Sequence, residues 1–512
     1  MMQDKDKLQY SPMIRQYLEI KEQYPDMLLF YRVGDFYEMF FQDALVGSKA
    51  LEIVLTGKDG GAKDKIPMCG VPHHSVAIYI DMLTSQGFKV GIVDQVEDPK
   101  FAKGIVKREV TRIITPGTII EPESLEAKEN NYILSLTKTM TNYVVSYVDM
   151  STGEGYVTMI PLDSYLLFTE IINLNAREII ISSEQRFPEL QDLQTTYPLT
   201  ISIEDNTVVP TYFKALIQGL DKDEEMTYCR LLNYITRTQM RTLIHLQKVM
   251  RVPFNSYLKI DLSSRRNLEL LETLRFQNKR NTLFHVLDRC CTAMGSRYLK
   301  KTILFPYIDS EKIQNRYDVI ERMKKHPIEM ADLTNILDDV YDLERIVGRI
   351  SYANANPKDM LQLKRSLKGL PILTHLIKTI GIASAFDLTT DAKAYHALFE
   401  LIDSALDEDA PFSTKAGNVI KRGYHAELDE LRLVNRNSKD YILSLEVKER
   451  ERTGIKQLKI GFNKVFGYYI EVSKLNSELI RDDFGYVRKQ TLSNAERYIT
   501  QELKDKETMI LR

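Results

Sequence analysis

The chain has 512 residues, no tryptophan and four cysteines. Cys69, Cys229, Cys290 and Cys291 form no Cys-x-x-Cys pair, and adjacent Cys290 and Cys291 are poorly placed to bridge each other. This excludes a disulfide framework and makes a reducing cytoplasm the expected setting. No apolar run reaches the roughly 18 residues that a membrane span needs. The opening MMQDKDKLQYSPM is polar, unlike a signal peptide. The signatures HExxH, GxSxG and GxGxxG are absent. A P-loop is absent too: in GKDGGAKDK, Gly57 to Lys65, Lys63 follows Ala62 and precedes Asp64, where a phosphate cradle needs Gly-Lys-Ser/Thr. That segment reads as a flexible loop, and the chain carries no recognisable ATPase. Charge of one sign is lacking as well. Lys and Arg total 69 against 71 Asp and Glu, a net charge of −2, so this is no protein coated in positive charge.

What is present is an ordinary soluble composition, 44% hydrophobic and 27% charged, with room for three or four domains. Residues 1–117 alternate strand and helix patterns. MLLFYRV reads as a buried strand, Phe40 to Ile53 as a helix, SVAIYIDMLTSQGF as a helix stopped at Gly87, and KVGIVDQV as a strand. The acidic stretch Glu121 to Glu129 reads as a linker. A second α/β unit, 130–245, opens near Asn131; in NYVVSYVDMSTGEGYVTMI the STGEG joins two β-rich runs as a hairpin. From 256 to 440 helical periodicity dominates, in runs such as RRNLELLETL and DDVYDLERIVGRI, and predicts long helices. A small β-rich insertion is expected over 441–496, with IKQLKIGFN and GYYIEVS as strands around NKVFG. TLSNAERYITQELKDKETMILR reads as helix again. The pattern over 497–512 reaches the end uncapped, as in a piece of a longer protein.

Four segments carry candidate chemistry. Lys100 to Arg112 holds Lys100, Lys103, Lys107, Arg108 and Arg112 against one acid, Glu109; Tyr441 to Arg497 holds eleven basic and eight acidic residues. Both serve as phosphate contacts or as plain solvated surface. CGVPHH, Cys69 to His74, offers metal-ligand types at no familiar zinc spacing and reads as a turn. Asp149, before the STGEG turn, stands where a metal-dependent nuclease holds a carboxylate, or is simply part of a hairpin. The fourth is GDFYEMF, Gly34 to Phe40. In an extended segment Phe36 and Glu38 point to the same side. The plain reading puts Phe36 in the core and Glu38 on the surface. The other exposes Phe36: an apolar wedge enters between base steps from the minor groove and kinks the duplex, most easily where stacking is already weak. A carboxylate beside it, repelled by phosphates, must accept a specific hydrogen bond to be tolerated there.

LLFYRVGDFYEMFFQDA, IPMCGVPHHS, RIITPGT, SSRRNLEL, LEVKERERTGIKQLKIGFNKVFGYYIEVS and QTLSNAERYIT lie along the chain in one order. Together they make the chain similar to the N-terminal part of the bacterial MutS family of DNA mismatch-recognition proteins. The first of them argues against relatives that lack the mismatch-reading domain. The resemblance covers nearly the whole chain. It implies a multidomain α/β plus all-α fold: an α/β mismatch-binding domain, a ribonuclease-H-like non-catalytic connector, and a long-helix core and lever with an inserted clamp. It implies that Phe36 stacks at the mispair and Glu38 hydrogen-bonds a base. Met68 and Gly70 line the minor groove, and Arg108 contacts the backbone. Asn463, Lys464, Ser473, Lys474 and Asn476 of the clamp meet phosphates.

The implied partners are double-stranded DNA with mismatches or small loops, a second copy of the full-length protein, and a MutL-type repair protein. The implied location is the bacterial cytoplasm and nucleoid. ATP and Mg²⁺ are expected only with the family's ATPase domain, which this chain does not contain. A nuclease acting through Asp149, and an interaction scaffold without its own DNA role, are the alternatives.

Overall fold

The computed structural model describes residues 9–61, 64–97, 105–119, 126–240, 243–386, 388, 392–463, 467–501, 503 and 504. It comprises two compact units, Met1–Glu400 and Leu401–Arg512.

The first unit begins with helix α1 (Pro12–Gln23), started by a proline that has no amide to satisfy. Strands β1 (Leu28–Val33) and β2 (Phe36–Phe40) follow, then helix α2 (Phe41–Leu51) and strands β3 (Thr56–Lys58) and β4 (Ile66–Pro72). Helix α3 (Val76–Ser85) and strands β5 (Val90–Gln95) and β6 (Arg108–Ile114) complete the fold. The sheet order is β3-β4-β2-β1-β5-β6, with β1 and β5 parallel and the other pairs antiparallel. Both faces are covered, which is why Leu28 to Tyr31 is an unbroken apolar run. Leu29, Tyr31 and Phe40 pack with Tyr17 of α1. Leu28, Phe30, Tyr37 and Met39 pack on the other face with Ala44 of α2 and Leu83 of α3. The expected loop at Thr56–Lys58 is instead an edge strand paired with β4.

The second sheet is built from β7 (Tyr132–Lys138), β8 (Asn142–Asp149), β9 (Gly155–Pro161), β10 (Glu178–Ile181), β11 (Thr200–Ile203) and β12 (Met250–Arg251). Its order is β11-β10-β7-β8-β9-β12, antiparallel through β7, β8 and β9 and parallel elsewhere. The STGEG hairpin lies where expected, while β7 and the closing strand β12 were not marked in the sequence. Helices α4 (Ser164–Asn173) and α5 (Pro188–Gln194) cover one face through Leu167, Ile171, Leu190 and Leu193. Helix α6 (Lys222–Gln239) covers the other through Tyr228, Leu231, Leu232 and Ile235.

The two sheets are tied by a buried carboxylate. Glu178, fully buried on β10, accepts from Thr115 Oγ1 at 2.5 Å and Gly117 N at 3.1 Å through Oε2. Its Oε1 accepts from Ser202 Oγ at 2.5 Å and Tyr234 OH at 2.6 Å. A Cβ on Gly117 would stand 2.8 Å from Ile133 Cβ, so the TPGT turn admits only glycine there without displacement. The end of the expected linker is also anchored. Arg345 donates to the carbonyls of Glu126 and Glu129, and Lys300 pairs with Glu129 at 2.9 Å.

Helices α7 (Leu262–Asn267), α8 (Leu283–Leu287), α9 (Ala293–Leu304), α10 (Ser310–Lys324), α11 (Pro327–Asp338) and α12 (Leu343–Ser351) follow. They are shorter than the periodicity predicts. Asp338 ends α11, and the Asp342 side chain accepts from Arg345 N to start α12, breaking the DDVYDLERIVGRI run. Helix α13 (Pro357–Ile380) is long, with 24 residues between an Asn356–Asp359 capping box and Gly381 at φ +75°. Helix α14 (Ala392–Ala405) follows.

In the second unit, α15 (Ala426–Thr453) runs 28 residues without a break at 441 and ends on Gly454, φ +71°. Strands β13 (Lys459–Asn463), β14 (Gly467–Ser473), β15 (Val487–Thr491) and β16 (Ala495–Ile499) form an antiparallel sheet of order β13-β14-β16-β15. The helix expected from Thr491 onward is corrected as far as Ile499, while Gln501, Leu503 and Lys504 are helical. Ala495–Ile499 is a central strand, paired on one side with Ile470–Ser473 and on the other with Val487–Thr491. Pairing and burial of Tyr498 and Ile499 override the helix-favouring composition. Residues 505–512 lie outside the described residues. No helix among the described residues is long and apolar enough to cross a membrane.

One interaction makes the first sheet testable. Asp43 is 3% exposed and accepts from Tyr17 OH at 2.7 Å and Leu29 N at 3.0 Å, with Lys21 Nζ at 2.8 Å. Asp43→Ala leaves the Leu29 amide without its acceptor, strips Tyr17 and Lys21 of their charged partner and leaves them the Phe40 and Met27 carbonyls, and is expected to cost about 3 kcal/mol locally. Amide hydrogen exchange in β1 and α1 checks it; unchanged protection would refute the assignment.

Candidate nucleic-acid interface

The local geometry starts with a two-residue turn. Val33 pairs with Phe36, leaving Gly34 and Asp35 to reverse the chain between β1 and β2. Gly34 sits at φ +58°, as the first central residue of a type II′ hairpin requires. Arg32 Nε donates to the Gly34 carbonyl at 2.6 Å, and His73 N donates to the Asp35 carbonyl at 2.9 Å. The turn is therefore held from both neighbouring strands.

Phe36 follows immediately and is 48% exposed. Tyr37 is buried behind it, its hydroxyl donating to Asp94 Oδ1 at 2.7 Å. Burial, with Asp94 beside it, pushes the Tyr37 phenol well above the ordinary tyrosine range, so it stays a neutral donor. Glu38 comes next on the Phe36 side of the strand. Its side chain is 14% exposed and pairs with Lys58 of β3. Lys58 Nζ also lies 5.4 Å from the centre of the Phe40 ring.

Strand β4 completes the surface. Glu38 stands opposite Gly70, and Phe40 opposite Met68. A Cβ at Gly70 would come within 3.4 Å of Glu38 Cγ and 3.2 Å of the Tyr37 carbonyl. Glycine thus gives the Glu38 stem its room. Met68 is half-buried, packed beside the α1-side core, and its carbonyl accepts from Thr56 Oγ1 at 3.1 Å. Phe36, Glu38, Met68 and Gly70 therefore gather on two adjacent strands.

Arg108 does not join them as a free cation. It is 9% exposed and donates to the Arg32 carbonyl at 2.8 Å and the Val106 carbonyl at 3.1 Å. Its guanidinium lies 5.1 Å from the centre of the Tyr31 ring. The expected backbone contact is corrected to an internal brace between β6 and β1. Lys107 is exposed and pairs with Glu109 at 2.6 Å. Lys100 and Lys103 lie outside the described residues.

In the second unit, Asn463 ends β13 opposite Gly467, and Lys464 lies outside the described residues. Ser473 pairs with Ala495, and its hydroxyl is buried without a hydrogen-bond partner, so it does not face solvent. Lys474 is exposed and begins a 3₁₀ turn, Lys474–Leu479, that also holds half-buried Asn476.

Asp149 is fully buried. Its Oδ1 accepts from Ser151 N at 2.8 Å and Ser151 Oγ at 2.7 Å; its Oδ2 accepts from Asn130 Nδ2 at 2.7 Å. One oxygen braces the hairpin turn and the other holds the segment entering β7, which takes the carboxylate away from the nuclease reading. Sequence reading missed Lys58 and Arg32. The signal for Lys58 was TGK directly before the glycine-rich run, three residues that pair as an edge strand.

Comparison with known proteins agrees with this architecture. Models of MutS domain I, MutS domain II and MutS domain III match residues 11–123, 131–247 and 263–507. A DNA mismatch repair protein MutS of Geobacillus sp. strain WCH70 is 48% identical over 507 residues, covering 98% of this chain and 58% of the relative. One of Bacillus licheniformis is 48% identical over 506 residues, covering 98% and 57%. One of Bacillus subtilis strain 168 is 46% identical over 503 residues, covering 98% and 58%. The chain thus spans less than two thirds of the length of these relatives. With the three domain matches in sequence along nearly all of its length, the chain belongs to the MutS family.

Proposed function

We propose that this chain recognises mispaired bases and small unpaired loops in double-stranded DNA and so initiates mismatch repair. The observation that supports it best is a half-exposed phenylalanine at the tip of a braced hairpin, two residues before a carboxylate on the same strand face. Phe36 enters the stack from the minor groove where a mispair has weakened it. Unstacking costs a few kcal/mol per step, less at a defect, so the discrimination comes from the weakness of the DNA. Glu38 accepts a hydrogen bond from the displaced base. Met68 and Gly70 shape the floor beside them.

The second sheet, antiparallel then parallel, we read as a ribonuclease-H-like connector without catalysis. The four-stranded sheet of the second unit we read as a clamp, with Lys474, Asn476 and Asn463 as its phosphate contacts. Phosphate contacts hold the duplex in register and carry no sequence information. In this reading ATP and Mg²⁺ act in a part of the family that lies beyond these three domains. Dimer formation and hand-over to a MutL-type repair protein belong to the whole protein, acting on nucleoid DNA in the bacterial cytoplasm.

The test is binding to a duplex with one G·T mispair or one unpaired T, against its matched twin, at two salt concentrations. A clear preference for the flawed duplex is expected. Phe36→Ala should weaken mispair binding by about 1–3 kcal/mol, a typical loss for one stacked aromatic, and erase the preference. Retained preference would refute the wedge. The remaining binding should fall steeply with salt, with a log–log slope of about −0.9 per phosphate contacted. A flat response would count against the phosphate contacts, and no binding at either salt would favour the scaffold reading.

A further inference from the structure

The carboxylate assigned to base reading already has a partner within the protein. Glu38 is paired with Lys58, and both side chains are mostly shielded, 14% and 26% exposed. The pair is assembled by topology. Glu38 is on β2, Gly70 lies opposite it on β4, and Lys58 reaches across from the edge strand β3, where it pairs with Ile66. A side chain at Gly70 would crowd the Glu38 stem, 3.4 Å from its Cγ. The aromatic face of Phe40 flanks the ammonium.

We infer that Lys58 parks Glu38, so that a base must displace the ammonium before the carboxylate can read it. This rests on the mismatch reading above and adds its threshold. Beside a matched duplex the ion pair stays closed and presents little net charge to the phosphates. At a defect, a displaced base supplies a donor, and Glu38 exchanges Lys58 for it. Lys58 therefore acts twice through Glu38. It screens a carboxylate that phosphates would repel, and it sets what a mispair must offer to be recognised.

Lys58→Met removes both effects. Without parking, reading a mispair no longer requires breaking the pair. Without screening, Glu38 repels matched DNA. The mismatched-to-matched affinity ratio is expected to rise roughly two- to five-fold, the factor set by a part-exposed ion pair. Lys58→Arg should restore the original ratio. In a Glu38→Gln background, Lys58→Met should leave the ratio unchanged, closing the double-mutant cycle.

The full 512-residue chain is used throughout, with thermal unfolding checked for each variant. A ratio unchanged or lowered by Lys58→Met overturns the parking role. So does an equal change with and without the Glu38 carboxylate, since Lys58 would then act on DNA directly. An unaltered chain that shows no preference for flawed duplex fails the mismatch reading itself, and the inference falls with it. A preference that persists unchanged in Lys58→Met fails the parking role alone.

Discussion

The register of one hairpin governs the candidate interface. Because side chains alternate along a strand, a slip of one residue between β1 and β2 would turn Phe36 and Glu38 inward and Tyr37 and Met39 outward. The two-residue turn prevents it. Gly34 supplies the positive φ, Arg32 and His73 hold the turn carbonyls, and Tyr37 is anchored to Asp94 across the sheet. Burial of Tyr37 and Met39 on one side and Phe40 on the other adds a hydrophobic penalty to any shift. An exposed phenylalanine results from a register that the rest of the sheet enforces.

The same sheet supplies stiffness. Strand β2 lies between β4 and β1, so its backbone groups are satisfied on both sides. A side chain that pushes between bases needs such a base, because a compliant loop would yield before the stack did. Arg108 contributes here, bracing β6 to β1 through the Arg32 carbonyl and the Tyr31 ring. Its position in a basic run made it look like a phosphate contact, and only the packing distinguishes a surface cation from a buried one.

What was legible in the sequence follows from locality. The buried run of β1 and the STGEG hairpin rest on near neighbours in sequence, and each appears where the pattern puts it. The same-face placement of Phe36 and Glu38 needed only the period of a strand. What was not legible depends on distant partners. Lys58 becomes meaningful only when β3 folds beside β4 and brings it to Glu38. Ala495–Ile499 carries residues that favour helix, and becomes a strand because Gly467–Ser473 and Val487–Thr491 flank it. The hydroxyl of Ser473 ends buried for the same reason, although its position near a strand end suggested exposure.

The buried Glu178 extends this logic beyond the first sheet. Four donors from three segments converge on one carboxylate, and two of them come from the TPGT turn that directly follows β6. Ser202 and Tyr234 belong to the same α/β unit as Glu178, so separating the sheets breaks the Thr115 and Gly117 bonds together and leaves Oε2 of a buried carboxylate without its donors. That favours an all-or-none joint over a compliant hinge. On the mismatch reading, load applied at Phe36 passes through β1, β5 and β6 to Thr115 and Gly117, and from there into β10. The strand ladders and the Glu178 joint make that path continuous from the hairpin tip to the second sheet.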